Sequence, residues 1–252
     1  MAKSALRVLE ILQFVAAQNG SATHTDIARG LRIPKSSLTS LLADLQAAGY
    51  VTMEAATGRY SLASQVLVLS QAYLRKLNIV RAGAPIVEAL FRRLGEFVAL
   101  AVPKGDEHIV VAAEAPSGPL AHSLQIGERG PMHCTATGKA ILAFLPEQEA
   151  EDWLTRMPRP KATPHTRVTV PEIMEDLRQV RASGIGLVRE EAILGITAIA
   201  APVFNIAGRP IAALSAAGAS ARFTSRREAE VAQAVREAAA ALSTELGWRP
   251  LG

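Results

Sequence analysis

A chain of 252 residues with 49% hydrophobic and 20% charged side chains has room for one large domain or two ordinary ones and is too apolar to be disordered. Aromatic residues make up only 4%, so the cores must be built from Leu, Val, Ile and Ala. The net charge of +4 permits a nucleic-acid partner without requiring one, and a single cysteine, Cys134, excludes an internal disulfide framework and a cysteine-based zinc site within one chain.

No apolar run reaches the roughly 18 residues of a membrane span, and the N-terminus lacks the apolar stretch of a signal peptide. A cytoplasmic location is expected. The first segment, 4–18, carries Val8, Leu9, Leu12 and Val15 at helical spacing, and Asn19-Gly20 stops it. Thr25 is expected to cap a short second helix with Ile27, Ala28 and Leu31. Pro34 then opens a third helix, 35–48, with Leu38, Leu41, Leu42 and Leu45 on one face and Gly49 past its end. Residues 50–53 and 59–62 follow as two strands around a turn at 55–58. Three short helices closed by a hairpin is the order of a winged helix-turn-helix, with Leu9, Leu12, Ile27, Leu31, Leu38, Leu42 and Val51 sharing one core.

Helices are predicted over 65–77 and 80–94, then strands over 97–102 and 109–114. Helices follow at 137–145, 147–157 and 171–183. Strands at 196–204 and 210–216 and an amphipathic helix at 225–246 complete the chain. Strands grouped with helices outside strict alternation predict an α+β domain with a mainly antiparallel sheet. The expected division is a winged helix-turn-helix over 1–64, a linker helix over 65–78 and a larger domain over 79–252.

A helix that enters a major groove needs small polar or basic side chains outside and apolar ones inside. The third helix offers Lys35, Ser36, Ser37, Thr39 and Ser40 outside, with hydroxyls suited to phosphate oxygens. Thr25, Arg59 beside the wing tip, and Lys3 and Arg7 on the first helix complete the predicted contact set for double-stranded DNA. The alternative is that Ser36 and Ser37 only cap the helix and the small domain binds protein. Without Arg, Asn or Gln before Gln46, bidentate base reading is thin, so affinity is expected to depend steeply on salt.

These residues resemble the IclR-type family of bacterial transcriptional regulators nearly end to end. The resemblance is carried by Leu31-Arg32-Ile33-Pro34-Lys35-Ser36-Ser37-Leu38 and Gly58-Arg59-Tyr60-Ser61-Leu62. In the second half Pro131-Met132-His133-Cys134-Thr135-Ala136-Thr137-Gly138-Lys139-Ala140, Arg189-Glu190-Glu191-Ala192-Ile193-Leu194-Gly195-Ile196 and Ala200-Ala201-Pro202-Val203-Phe204 carry it. It implies a winged helix-turn-helix, a linker helix and a GAF-like effector domain with a six-stranded sheet. It also implies a homodimer that often pairs into a dimer of dimers, and a metabolic operon that is repressed, or less often activated, in response to a small organic or aromatic acid. No cofactor or metal is implied.

The family's effector pocket maps here onto the backbone of Ala136 and Thr137, the Thr137 hydroxyl, a wall of His122, Gly130 and Ile196, and the positions Val188, Ala198, Ser215 and Ala217. Some members carry polar groups at three of these places, where this chain has Val188, Ala198 and Ala217. A roomier, less polar pocket for an aromatic or lipophilic acid is therefore expected; plain core packing is the competing account of the three. A thiol enzyme using Cys134 with His133 is the competing function, disfavoured because neighbours on a strand face opposite sides. Glu190-Glu191 is expected to be solvated or capping, and His122 with His133 is a weaker candidate for convergence in the pocket.

Overall fold

The computed structural model describes residues 3–18, 20–74, 78–116 and 125–249. Its contacts divide the chain into two compact units, 1–76 and 77–252.

In the first unit, helix α1 (Lys3–Ala17) leads to a short strand β1 (Ser21–Thr23), then α2 (His24–Leu31) and α3 (Lys35–Ala47). Strands β2 (Val51–Glu54) and β3 (Arg59–Leu62) form the wing, and β3 pairs antiparallel with both β1 and β2. Strand β1 was not anticipated, and it moves the start of α2. The extended backbone delivers Thr23, not Thr25, to the cap, where its hydroxyl accepts from the Asp26 amide and Asp26 returns the bond to the Thr23 backbone. Thr25 lies exposed one residue inside the helix.

The core of this unit is Ile11, Val15, Ile27, Ile33, Leu38, Leu42, Leu45 and Val51, with Leu12 and Leu31 partly buried against it. Leu9, expected inside, is 56% exposed. Two residues rotate a helix by about 200°, so Leu9 cannot share a face with Ile11, and Ile11 is the residue that α1 buries. Helix α4 (Ser64–Leu74) ends the unit; the predicted extension through 75–77 lies outside the described residues.

The second unit begins with α5 (Asn78–Leu94) and strands β4 (Phe97–Lys104), β5 (Glu107–Glu114) and β6 (Arg129–Pro131). Helices α6 (Ala136–Leu142), α7 (Glu147–Arg156) and α8 (Val170–Ser183) follow. Strands β7 (Gly186–Arg189), β8 (Ile196–Phe204) and β9 (Pro210–Ala219) and helix α9 (Ser225–Glu245) complete it. The six strands form one sheet in the order β6-β5-β4-β9-β8-β7, and every pair is antiparallel. Short β6 and β7 escaped prediction and extend the sheet at both edges. Strand β7 stops opposite Ala200, so Pro202 lies where β8 has lost that neighbour, which accounts for a proline inside a strand.

The period of two sorts the sheet's residues onto two faces. Val98, Leu100, Val102, Ile199, Val203 and Leu214 pack with α5 and α9 in the main core. The intervening positions are Ala99, Ala101, Ala198, Ala200, Ala213, Ser215 and Ala217, and they face the other side. There α6 covers Ala200 and Ala213, together with α7 and α8. Where α6 does not reach, small side chains cannot fill the space.

Candidate functional site

That unfilled space is a cavity of about 100 Å³, counted as room for the centre of a water molecule. Its sheet wall is Phe97, Ala99, Ala101, Val110, Ala198, Ser215 and Ala217. Thr135, Ala136 and Thr137 enter from the start of α6, Val188 from β7, and Ala192, Ile193 and Ile196 from the segment leading into β8. His108 on β5 closes the set. Among the described residues, no Lys, Arg, Asp or Glu lines it.

Seven of the sequence-predicted pocket residues meet in this cavity: Ala136, Thr137, Val188, Ile196, Ala198, Ser215 and Ala217. Val188 also belongs to the core behind α6, so pocket wall and core packing coincide there. His122 lies outside the described residues. Gly130 is not in the wall: it pairs with His108 across the β5–β6 ladder, and a Cβ there would run into the imidazole ring. The bare backbone of Gly130 therefore seats His108. The wall of β4 and β5 was missed, although Ala99 and Ala101 alternate with Val98 and Leu100 and so betray a face of small residues.

The start of α6 is built tightly. The Thr135 hydroxyl caps it by accepting from the Gly138 amide at 3.1 Å and donates to the Pro131 carbonyl at 2.7 Å. Gly138 has no side chain because one would collide with the backbone of Met132. The amides of Ala136 and Thr137 have no acceptor within their helix, which leaves them as donors beside the cavity. With only seven residues, α6 contributes these amides rather than a long-range dipole.

His133 and Cys134 lie in the turn before α6 rather than on a strand, and neither lines the cavity. His133 is fully buried, with Nε2 at 3.2 Å from the Pro160 carbonyl. It does not converge on the pocket; among the described residues, His108 does. Burial pushes the Cys134 thiol up to about 11, which keeps it protonated and unreactive.

Of the two glutamates, Glu191 differs from expectation. Glu190 takes a left-handed backbone (φ 61°) and accepts from the Gly195 amide, while Glu191 is buried. The Glu191 carboxylate holds Lys139 Nζ at 2.7 and 2.8 Å, and Asp176 holds the same ammonium at 2.5 Å. Arg167 reaches both carboxylates, so two cations meet two anions. Thr163 donates to the Glu190 carbonyl and Thr166 to the Glu191 carbonyl, each at 2.6 Å, which fixes the backbone just before Ala192 and Ile193 of the cavity wall. A fully buried charge stays charged only with such partners.

His108 is 7% exposed, and burial lowers its pKa from 6.5 to about 4. The sign of the consequence follows from the folded form refusing a proton that the unfolded chain accepts. Stability is then complete above pH 6.5 and is lost as pH falls from there toward 4, by up to about 3 kcal/mol if the whole shift is realised. Thermal melts from pH 7.5 to 5 should fall with acid, and His108→Phe should flatten that slope; equal slopes would show that His108 is not held neutral.

In the first unit, Lys35, Ser36, Ser37, Thr39 and Ser40 are all exposed on α3. Pro34 precedes this helix and gives no side-chain cap, so the first-turn amides are left to an outside acceptor such as a phosphate. Thr39 is partly engaged, donating to the Lys35 carbonyl and lying 3.1 Å from His24 Nε2. Arg7 donates to the Leu31 carbonyl at 3.0 Å, and Arg59 donates to Ser21, through Nε to the hydroxyl at 2.7 Å and through the guanidinium to the carbonyl at 2.9 Å. These bonds brace the head while Arg59 stays exposed and Arg7 half-exposed. The side chain of Lys3 lies outside what is described. Arg32, exposed with a left-handed backbone (φ 51°) in the turn between α2 and α3, is a cation that the sequence reading passed over.

A winged head with an uncapped, hydroxyl-rich third helix, in one chain with a cavity-bearing α+β unit, defines a ligand-responsive DNA-binding regulator. Comparison with known proteins agrees. The model of the IclR helix-turn-helix domain matches residues 4–55, and that of the bacterial transcriptional regulator IclR C-terminal domain matches 71–244. The chain belongs to the IclR family of transcriptional regulators. It is 30% identical over 244 residues to the HTH-type transcriptional repressor AllR of Klebsiella pneumoniae, covering 97% of this chain and 90% of that protein. Identity to AllR of Escherichia coli K12 is also 30%, over 243 residues, 96% of this chain and 90% of the relative. The crystal structure of the Thermotoga maritima IclR superposes with a TM-score of 0.84 at 25% identity, covering 98% of this chain and all of that one.

Proposed function

We propose that this chain is a cytoplasmic repressor of a catabolic or metabolic operon, released from its operator or held on it by a small acid of aromatic or lipophilic character. It works by binding and catalyses no reaction. Residues 1–64 form the DNA-reading head, 65–78 a linker and 79–252 the effector domain. The single observation that supports the acid is the cavity: its walls are alanines, valines, isoleucines and a phenylalanine, with hydroxyls and amides of Thr135, Ala136, Thr137 and Ser215 as polar groups. An apolar cleft with a few donors suits an apolar body bearing one carboxylate. Repression is supported by similarity to the AllR repressors.

A homodimer, with pairing of dimers as a further step, is supported by apolar side chains left exposed on the first unit: Leu6 and Leu9 on α1, and Leu67, Val68 and Leu69 on α4. A dimer places two heads on two half-sites. A thermal-shift screen of short keto acids, aliphatic acids and aromatic acids tests the pocket. Ligands that bind only the native state must raise the melting temperature. Aromatic acids should raise it, and glyoxylate and pyruvate should not. A response confined to the two-to-three-carbon acids would overturn the reading.

A further inference from the structure

We propose that the groove along the free edge of β8 is a second ligand site, separate from the effector cavity, for a flat ring that bears a carboxylate or phosphate.

The groove opens where β8 runs past the reach of β7. It lies between the end of α8, the β8 edge at Ala201 and Pro202, and helix α9, and it holds about 560 Å³ on the same count as the cavity above. The two spaces share no lining residue. Pro202 has no N–H to offer another strand, and the Phe204 amide already donates to the Ser243 hydroxyl at 3.0 Å. The edge is therefore closed to strand pairing and open to a small molecule.

One wall is aromatic. Gly247, with φ 90°, turns the chain after α9, and the Trp248 amide donates back to the Ser243 carbonyl at 2.9 Å. The indole is thereby laid against Phe204, with ring centres 5.0 Å apart and planes 28° apart, and Phe204 meets Phe144 edge-on at 5.3 Å. Trp248 stays half-buried in the groove wall, which leaves aromatic surface for a flat ring. Its indole N–H has no acceptor among the described residues, and Gly208 beside it brings no side chain to cover it.

The other wall is cationic. Arg181 donates to the carbonyls of Ala143 and Leu145, and Arg236 to Gln233 at 2.8 Å and the Ser183 carbonyl at 3.3 Å. These acceptors are neutral and use only part of the five N–H groups of each guanidinium. Among the described residues, no Asp or Glu lines the groove, and Glu237, next to Arg236 on α9, is held by Arg93 at 2.7 Å. Two guanidiniums without a carboxylate partner, facing an aromatic wall with a spare indole N–H, suit an oxyanion carried on a ring.

Intrinsic fluorescence of the full-length protein reads this site, because Trp248 is one of two tryptophans and Trp248→Phe leaves Trp153 alone. Phenyl phosphate and benzoate are titrated beside inorganic phosphate, which has no ring, and benzyl alcohol, which has no charge. At least one ring-bearing anion should change the emission saturably and bind at least ten-fold more tightly than either control. The tighter of the two names the oxyanion. The change should vanish in Trp248→Phe. Arg236→Gln, at an exposed position, should weaken binding about ten-fold, and Arg181→Gln repeats the test should the first variant disturb the end of α8. Emission that saturates with neither anion, a control that binds as tightly, a change that persists in Trp248→Phe, or an affinity that survives both arginine substitutions would overturn the site. None of these results bears on the effector cavity.

Discussion

Lys139→Met should destabilise the effector unit by about 3–5 kcal/mol, the largest loss expected from any single substitution in this chain. Lys139 is fully buried, and its ammonium sits between Glu191 and Asp176. Without it, two carboxylates share the single guanidinium of Arg167, which is itself half in solvent. Methionine fills a similar volume, so the loss reports unpaired charge rather than a cavity. Adding Glu191→Leu removes the surplus anion and leaves Asp176 with Arg167, so the double variant should be more stable than Lys139→Met alone. Urea unfolding at pH 7 measures both. A cost under 1 kcal/mol for Lys139→Met would mean that this cluster does not hold the segment 190–195 over the cavity.

The second large effect is on DNA. The head offers exposed Lys35, Arg32 and Arg59, hydroxyls on α3 and uncapped amides, with Arg7 and Arg59 each oriented by hydrogen bonds to the head itself. Such a surface gains most of its affinity from phosphates. About six neutralised phosphates over two heads imply a loss near a thousand-fold between 50 and 200 mM salt. Lys35→Glu, on an exposed position, should weaken binding at least ten-fold and shallow the salt slope without shifting the melting temperature.

Much of this architecture was legible in the residues. Long periodic runs announced α3, α9, β4, β5 and β8, and the order of helices and hairpin announced the winged head. The misses have physical causes. Strands β1, β6 and β7 are three or four residues long, too short to show alternation. Two threonines flank His24, and only the pairing of β1 with β3 decides that Thr23 is the cap. Leu9 looked like core because a leucine was counted ahead of the rotation that favours Ile11.

At the cavity, seven residues carried over from the family resemblance line one wall together, because the start of α6 and strands β7, β8 and β9 converge there. His108 carries no local signal, because nothing in its own segment marks a histidine 27 residues before Thr135 as its neighbour. The partners of Lys139 lie 37 and 52 residues away, so a buried lysine looked like an ordinary helical one. The alternation of alanine with larger residues in β4 and in the first half of β8 was the available signal for an unfilled face.

The most direct test is fluorescence anisotropy of a labelled duplex from the chain's own upstream region, beside a scrambled duplex of equal length, from 50 to 200 mM salt. The native sequence should be preferred, its affinity should fall steeply with salt, and Lys35→Glu should bind weakly to both. Equal affinity for the two duplexes, or binding that neither salt nor Lys35→Glu changes, would contradict the assignment of α3 to the DNA groove.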